Sequence, residues 1–506
     1  MNLPIRSDQP VFIDVASGFQ EVPVELDKTL VKEEVDDDSR AMPESYDTIV
    51  VGLGSAGVTA ATILAKAGKR VLGLEAMDRI GGRVKTVPFG DGFIEEGAEW
   101  IHGTENSRVY QMAIDNNIPT LDQELEFEVY RSDGTLGNNS LISELVAFCH
   151  DQAFTATDKP LSLGEFITGK FMEHIKIKYP ELQSNQTFIK EFLNFMNLIV
   201  NNYEGSNDWT DVSAKSAFKE LGGHQHMSWH RYGYKTFFEL LLNTYNNGPG
   251  WPNLDIKLNS PVSKIIWPRD STGNVIVQCE GGQTYTARHV IVTVSLGVLK
   301  ERHEKMFEPA LPIEKTTAID KMSIGVMDKV ILKFEKPWWD RKLLFFSFLW
   351  RLEDIANVSK EDYWITRILG ASNPMGSDNT LTLWTSGDVG KMVETLPDEI
   401  VIRKTMELLR KFMGKKYSNI PEPTGMLRSK WYSNPYTRGS YTYDNLDTPN
   451  YPHAREALGA PLLDSSGTPR VLFAGEATNP IHFSTVAGAS DTGYREAMRL
   501  LPSSKM

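Results

Sequence analysis

The chain has 506 residues, too many for one hydrophobic core, so two domains are expected. Apolar residues make up 41% and charged residues 24%, the balance of a water-soluble globular protein, and the most apolar run, Leu343 to Trp350, falls far short of the roughly 20 residues that span a bilayer. With 66 acidic against 53 basic residues, the net charge of −13 disfavours a nucleic-acid binder and suits either a cationic ligand or simply a soluble acidic surface, while two cysteines, Cys149 and Cys279, leave no disulfide framework and no cysteine-rich metal site.

Residues 1–44 carry the acidic cluster Glu33 to Asp38 without sustained periodicity, and read as a mobile extension that lacks the basic start and apolar core of a secretory signal. Tyr46 to Arg83, YDTIVVGLGSAGVTAATILAKAGKRVLGLEAMDRIGGR, then reads as a nucleotide-binding βαβ unit. Ile49 to Val51 closes a β-branched strand, Val58 to Ala67 is an Ala-rich helix, and a second strand, Arg70 to Leu74, ends in Glu75. Gly52, Gly54 and Gly57, with Ser55 and Ala56 between them, have the G-x-G-x-x-G spacing: a tight turn, backbone approach to a pyrophosphate, and close helix–strand packing. The helix N-terminus favours phosphate, and an acid at the position of Glu75 binds ribose hydroxyls and repels the 2′-phosphate of NADP. A glycine turn alone fits any tight βα turn; the flanking elements and a second turn, Gly81-Gly82-Arg83, favour the dinucleotide reading, because an arginine there can neutralise a pyrophosphate.

Further along, Phe93 to Ile101 (FIEEGAEWI) is expected to be one buried strand leading into a turn at His102-Gly103. Leu125 to Lys219 is helix-biased, for example Glu191 to Val200, and predicts a separate helical layer. Tyr232 to Asn243 opens another helix; Ile256 to Trp267 and Asn274 to Thr293 read as strands. Strand-like runs at Lys329 to Phe334 and Thr380 to Trp384, followed by an amphipathic helix at Glu399 to Met413, suggest a mixed sheet covered on one side. Periodicity puts Lys329 on a face with Ile331 and Lys333, as a solvent-facing charge would be. His224, His226 and His230 read as a polar loop, since no carboxylate or cysteine completes a metal site at suitable spacing, and Trp338, Trp339, Phe345, Phe346 and Phe348 read as core. Val471 to Glu476 is a buried strand ending in Gly-Glu before a helix over Gly488 to Leu500, which is either one more βα unit or a second place where a strand-end acid and a helix N-terminus meet a cofactor.

Two segments, EAMDRIGGR (75–83) and FAGEATNPIHFSTVAGASDTGYREA (473–497), resemble the FAD-binding segments of the flavin-dependent amine oxidase family, and the likeness spans residues 46–500. Four further segments resemble its polyamine oxidase branch. In EEGAEWIHG (95–103) the resemblance puts Ala98 and Glu99 at the cofactor and His102 in a substrate tunnel; in SIGVMDKVILKFEKPWW (323–339) it makes Lys329 the lysine that holds a water against flavin N5. In SNPYTRGSYTY (433–443) Tyr441 becomes the aromatic wall over the flavin, and in FSTVAG (483–488) Thr485 and Val486 adjoin cofactor and substrate. LDIKLNSPVSKI resembles a strand pair that presents the Val262 backbone to the adenine, an edge strand broken by Pro261 being the plainer reading. Glu204 and Ser206 match positions near a distal amine, or belong to an exposed loop.

The resemblance implies an α/β fold in which a Rossmann-like FAD-binding domain (46–123, 220–306 and 434–501) is interleaved with an α+β substrate-binding domain (124–219 and 307–433), followed by a tail (502–506). Glu476 would hold the ribityl hydroxyls. FAD would be non-covalent, since no cysteine follows Cys279. The implied reaction oxidises a C–N bond of spermine, an N1-acetylpolyamine or spermidine to an aldehyde and a shorter amine, with dioxygen reduced to hydrogen peroxide; a histone-lysine-demethylase-like oxidase or a catalytically silent flavoprotein is the alternative. Implied partners are a small cationic polyamine and O2, with no metal, nucleic acid or membrane anchor. Ser504-Lys505-Met506, a variant of S-K-L, points to a peroxisomal import receptor, the cytoplasm being the other compartment. Ala487 stands where many relatives have histidine, and Asn479-Pro480 where they have His-Arg, departures expected to alter the pocket and its loop.

Overall fold

A run of β-branched residues with no room for solvent on either side makes the first strand, Ser45–Val51 (β1), which is buried on both faces from Thr48 onward except at its start. Gly52 turns the chain with φ +89°, a conformation only glycine adopts at low cost. Helix Ser55–Lys66 (α1) and strand Val71–Leu74 (β2) follow, with β2 parallel to β1. A Cβ on Gly57 would lie 1.9 Å from the Gly52 carbonyl oxygen, so the helix sits as close to the turn as two backbones allow. The computed structural model describes residues 45–123, 127–153, 155, 157 and 160–502; the acidic extension and Ser504-Lys505-Met506 lie outside the described residues.

β1 and β2 belong to a nine-stranded sheet whose main path runs Phe307–Glu308, Val262–Ile266, Val275–Cys279, Thr284–Val292, β1, β2, Leu254–Lys257. Thr284–Val292 is long enough to serve three neighbours: β1 along one side, Val275–Cys279 against the first half of the other, and Pro469–Phe473 against the second half. The strands 254–257 and 262–266 do not form the expected pair. Leu254–Lys257 is one edge of the sheet and Val262–Ile266 lies next to the other edge, and the loop between them instead bonds to the end of β2, Ser260 N–H to Glu75 O at 2.8 Å and Asn259 N–H to Met77 O at 2.9 Å.

FIEEGAEWI is not one strand. Gly92–Glu95 pairs with Thr86–Phe89 and Trp100–Ile101 with Met227–Ser228, while Glu96 to Glu99 leaves both sheets. The cause is contact with the arginine turn: a Cβ on Gly97 would meet Arg83 O at 2.0 Å, and Glu96 and Ala98 give their N–H groups to Lys85 O and Arg83 O.

A second, mixed sheet has the order Gly425–Arg428, Met327–Lys333, Thr380–Ser386, Gly370–Ser372, Phe345–Leu349, Phe127–Arg131, with only the last pair parallel. It is covered on both faces rather than one. Val330, Leu332, Leu381, Leu383, Phe346 and Phe348 pack on helix Asp398–Met413, whereas Val129 and Leu349 pack on the helical layer. That layer, Asn139–Ala153, Leu163–Lys178 and Gln186–Glu204, is punctuated as its sequence suggests: Ser162 and Glu165 form a capping box, Asn185 caps the third helix, and Gly205 ends it at φ +65°. Phe127–Arg131 departs from the helix bias of this region because it adds an edge to the second sheet.

Helix Val486–Leu500 closes the structure against α1. A Cβ on Gly493 would lie 2.1 Å from Ala56 O, and the Thr59 and Ser490 hydroxyls bond at 2.9 Å across the contact. Gly57→Ala should lose about 1–3 kcal/mol of stability by overpacking, although alanine ordinarily favours a helix over glycine. Thermal denaturation should show a lower midpoint than wild type; a midpoint at or above it would refute the contact as the reason for this glycine.

Candidate active site

A cavity of about 780 Å3 runs from the Gly52–Gly54 turn to the helical layer. At its first end α1 starts with Gly54 at the N-cap and no side-chain cap, so its leading N–H groups remain available to an anion. A Cβ on Gly54 would come no nearer than 3.8 Å to protein, and the glycine therefore keeps cavity space open rather than relieving a clash. Ser55 and Ala56 complete this wall; Gly57 is not on it. Glu75 faces the same end, its two oxygens accepting Leu53 N–H at 2.7 Å and Met77 N–H at 3.0 Å. Burial pushes its carboxyl up, and those N–H groups and Arg79 oppose the push. Ser260, Pro261 and Val262 close the far side.

Arg83 lies midway, donating to Ser440 O at 2.8 Å and to Glu476 at 2.9 Å. The second Glu476 oxygen accepts the Thr442 hydroxyl at 2.7 Å and Ser484 N–H at 3.0 Å. Burial raises the Glu476 carboxyl, but Arg83, Thr442 and Arg455 outweigh it, leaving the group below the usual carboxylate range. Both oxygens thus have protein partners, and Oε1, which receives only Arg83, keeps a lone pair for a further donor. The Thr485 hydroxyl is likewise engaged: it caps helix Val486–Leu500 by accepting Gly488 N–H at 2.9 Å and donates to His482 O at 2.8 Å. Thr485 and Val486 still line the cavity.

Lys329 is buried, contrary to its periodicity. Its ammonium donates to Glu95 O at 2.8 Å, Gly97 O at 2.9 Å and Glu99 Oε2 at 2.8 Å, three acceptors for three hydrogens. It also stands 4.5 Å from the Trp384 ring, which stacks on Trp100. Glu99 Oε1 is buried at the cavity wall with no protein donor. Ala98 lines the cavity beside it.

Beyond Lys329 the wall turns aromatic. The Tyr441 hydroxyl donates to Asn202 O at 3.0 Å, which ties its ring to the end of helix Gln186–Glu204. Burial pushes the Glu204 carboxyl up to about 7, with repulsion from Asp444 adding to the rise and Arg455 opposing it. His102 and His226 meet with rings 6.2 Å apart; burial pushes both down, His226 to about 4, so both are neutral at neutral pH. Ser206 does not belong to this wall. It is 2% exposed, and its hydroxyl donates to Asn201 at 3.2 Å, because the left-handed turn at Gly205 redirects the chain away from Glu204.

Several wall residues carry no local signal in the sequence. Trp384 reaches Lys329 only through strand register, and His226 separates from its neighbours in sequence, since His224 pairs with Asp122 and His230 bonds Pro119 O. A stripe of Val146, Ala147, Leu163, Ile167, Met196 and Val200 extends the cavity into the helical layer, with Cys149 and His150 nearby. Such i, i+3, i+4 patterns look the same whether a helix faces a core or a cavity. Ala487 is 3% exposed, packs in the core and is not among the cavity-lining residues; Asn479 orders its loop by accepting Ile481 and His482 N–H groups and donating to Gly488 O.

Residues 55–501 match the family of flavin containing amine oxidoreductases. The chain belongs to that family. It is 30% identical over 499 residues to the peroxisomal N(1)-acetyl-spermine/spermidine oxidase of Bos taurus, covering 90% of this chain and 94% of the relative. It is 29% identical to polyamine oxidase 2 of Arabidopsis thaliana over 90% of this chain and 88% of the relative. A 34% match to histone demethylase-like protein A of Aspergillus fumigatus covers 49% of this chain but only 23% of that protein. The chain is a flavin-dependent amine oxidase, and the uncapped α1 terminus, the space kept by Gly54 and the strand-end acid Glu75 fit an anionic dinucleotide cofactor.

In this oxidase Lys329→Met would leave Glu99 charged and buried without its cation, a loss of about 3–5 kcal/mol. Thermal or denaturant unfolding should show Glu99→Gln restoring much of that loss when combined with Lys329→Met. Simple additivity of the two substitutions would show that the pair is not coupled.

Proposed function

We propose that this chain is an FAD-dependent polyamine oxidase that prefers N-acylated polyamines. The observation that carries the preference is the contrast within one cavity: Glu204 and Glu220 stand in one part of its wall, and the helical stripe beyond them offers methyl, methylene and ring surface with no carboxylate among its described residues. Going back along the helix from Glu204 to Met196 covers about 12 Å at 1.5 Å per residue. A second ammonium placed along that stripe would lose hydration without a partner, whereas methylenes and a neutral acyl end would not. The peroxisomal oxidase of Bos taurus, named for N(1)-acetyl-spermine and spermidine, supports the same class.

In this reading the α1 terminus, Ser55 and Ala56 receive the pyrophosphate, Glu75 the ribose and the Val262 backbone the adenine. The N-terminal amides of helix Val486–Leu500 would stabilise negative charge on the reduced flavin, Arg83 would brace the wall, and Glu476 would hold ribityl hydroxyls. The flavin, held without a covalent link, supplies hydride acceptance from the carbon beside an amine and reoxidation by dioxygen to hydrogen peroxide. The protein's own part is to bind, orient and deprotonate. Tyr441 packs its ring against the substrate chain. Neutral His102 and His226 accept hydrogen bonds from a substrate ammonium without repelling it, and Glu204 attracts a flanking nitrogen. Lys329, with its hydrogens already engaged, fixes Glu99 and the 95–97 backbone; the unpartnered Glu99 Oε1 is the acceptor it leaves at the wall.

The two sheets support the interleaved domain plan. Strands of the first come from 45–74, 254–308 and 462–473, and strands of the second from 127–131 and 327–428. The peroxisomal name of the bovine relative supports that compartment, with microscopy of a fusion tagged at its N-terminus against catalase as the check; a diffuse cytosolic signal would refute it.

A panel of acetylated and unacetylated spermine and spermidine, read by peroxide release and mass of the amine product, should give kcat/KM about tenfold or more higher for the acetylated members, the scale of one poorly solvated charge. Equal values would remove the preference while leaving the oxidase, and no turnover of any polyamine would remove both. Because Glu204 is neutral below about pH 7 and charged above it, KM for a cationic substrate should fall as pH rises through that value. Glu204→Gln should abolish that step and raise KM about tenfold at pH 8. A wild-type profile in the variant would dismiss Glu204 from binding.

A further inference from the structure

Asp328 immediately precedes Lys329 and, by strand alternation, points to the opposite face, where it is wholly buried. Its Oδ1 accepts the Ser429 hydroxyl at 2.6 Å and Trp431 N–H at 3.3 Å, while Oδ2 is buried with no donor. Glu394, 4% exposed at the end of helix Gly387–Val393, lies within hydrogen-bond reach of it. The two Glu394 oxygens accept Tyr432 and Ser433 N–H, each at 2.7 Å. Three consecutive backbone N–H groups therefore end on two touching acids.

Among the described residues no cation hydrogen-bonds or ion-pairs with either acid, although the charge of Glu394 is felt by Arg438. Lys329 turns to Glu99, Arg428 to Val393 O, Leu396 O and Asp398, Lys391 to Asp388, and Arg438 to Glu301. Thr385 on the adjoining strand gives its hydroxyl to the Asp328 carbonyl, not to its side chain. Two buried carboxylates in contact cannot both stay charged. Glu394 already receives an N–H on each oxygen, so Asp328 Oδ2, the atom without a donor, is where the proton belongs; burial, then the charge of Glu394, hold the Asp328 carboxyl well above the usual range.

We propose that Asp328 is a carboxylic acid donating to Glu394, and that this acid–carboxylate pair positions the reaction cavity by pinning Ser429 to Ser433. The pinned segment carries cavity residues in both directions. Ser429 Oγ accepts Lys329 N–H at 2.8 Å, and Trp431 forms part of the wall, its indole N–H on Glu96 O at 3.2 Å. The Trp431 carbonyl in turn receives Gly439 N–H at 3.0 Å, two residues before Tyr441. Asp328 touches no reacting group, so it is a positioning residue.

The test uses the flavin-loaded full chain and compares Asp328→Asn, Asp328→Ala and Glu394→Gln with wild type, using the polyamine oxidised fastest in the panel above. Asparagine keeps an acceptor for Ser429 and a donor for Glu394. Asp328→Asn should therefore keep the flavin-reduction rate within about threefold, while Asp328→Ala slows it about tenfold or more through misplacement of the wall. The wild-type minus Asp328→Asn infrared difference spectrum should contain a protonated-carboxyl C=O band, above those that Glu204 and Glu95 contribute to both proteins. Wild type should also lose rate in one alkaline step, as the second charge forms, that the asparagine variant lacks; Glu394→Gln should remove the same step. A difference spectrum without that band, or an alkaline step unchanged by both substitutions, would overturn the proposal, as would Asp328→Asn and Asp328→Ala falling equally.

Discussion

A buried lysine dictates much of this molecule. Once Lys329 is enclosed, its charge requires acceptors for all three hydrogens, and the 95–99 stretch supplies them with two carbonyls and one carboxylate. That requirement binds the second sheet, where Lys329 sits, to a segment held against the arginine turn of the dinucleotide unit. The cavity lies along this seam, so the same contacts that make the chain one structure also set the distance between the cofactor end and the substrate end.

The other recurring device is backbone pressed on backbone. Gly57 on Gly52, Gly97 on Arg83 and Gly493 on Ala56 each bring main chains within a distance that no side chain tolerates. Gly54 differs from all three, since nothing in the protein crowds it and what it preserves is room. The distinction separates glycines that serve packing from one that leaves cavity space.

The dinucleotide unit was legible in the sequence because its logic is local: strand, turn, helix, strand and acid follow within 30 residues. The polar details were less so. Glu476 and Thr485 could be assigned to the cavity from their motif, yet which partner their oxygens take depends on Arg83, Thr442 and Gly488 across the fold. Lys329 looked solvent-facing because alternation says which residues share a face, not what covers it, and the covering residues lie over 200 positions away. Glu204 and Ser206 looked equivalent until the left-handed turn at Gly205 separated them. The helical stripe beyond Glu204 had the pattern of ordinary core, and only tertiary packing leaves it facing space.

Thr284–Val292 has a further consequence, for the order of events during synthesis. Its neighbours are β1, made some 240 residues earlier, and Pro469–Phe473, made about 180 residues later. At about 5–20 residues per second, the ribosome needs on the order of 10–40 seconds to go from Thr284–Val292 to Pro469–Phe473. During that interval the middle of the first sheet presents an open edge and the α1 surface lacks helix Val486–Leu500. The nascent chain must therefore wait, with its most apolar strands half paired, for its own C-terminus, a condition that favours chaperone capture and makes late truncations aggregate rather than yield a smaller folded protein.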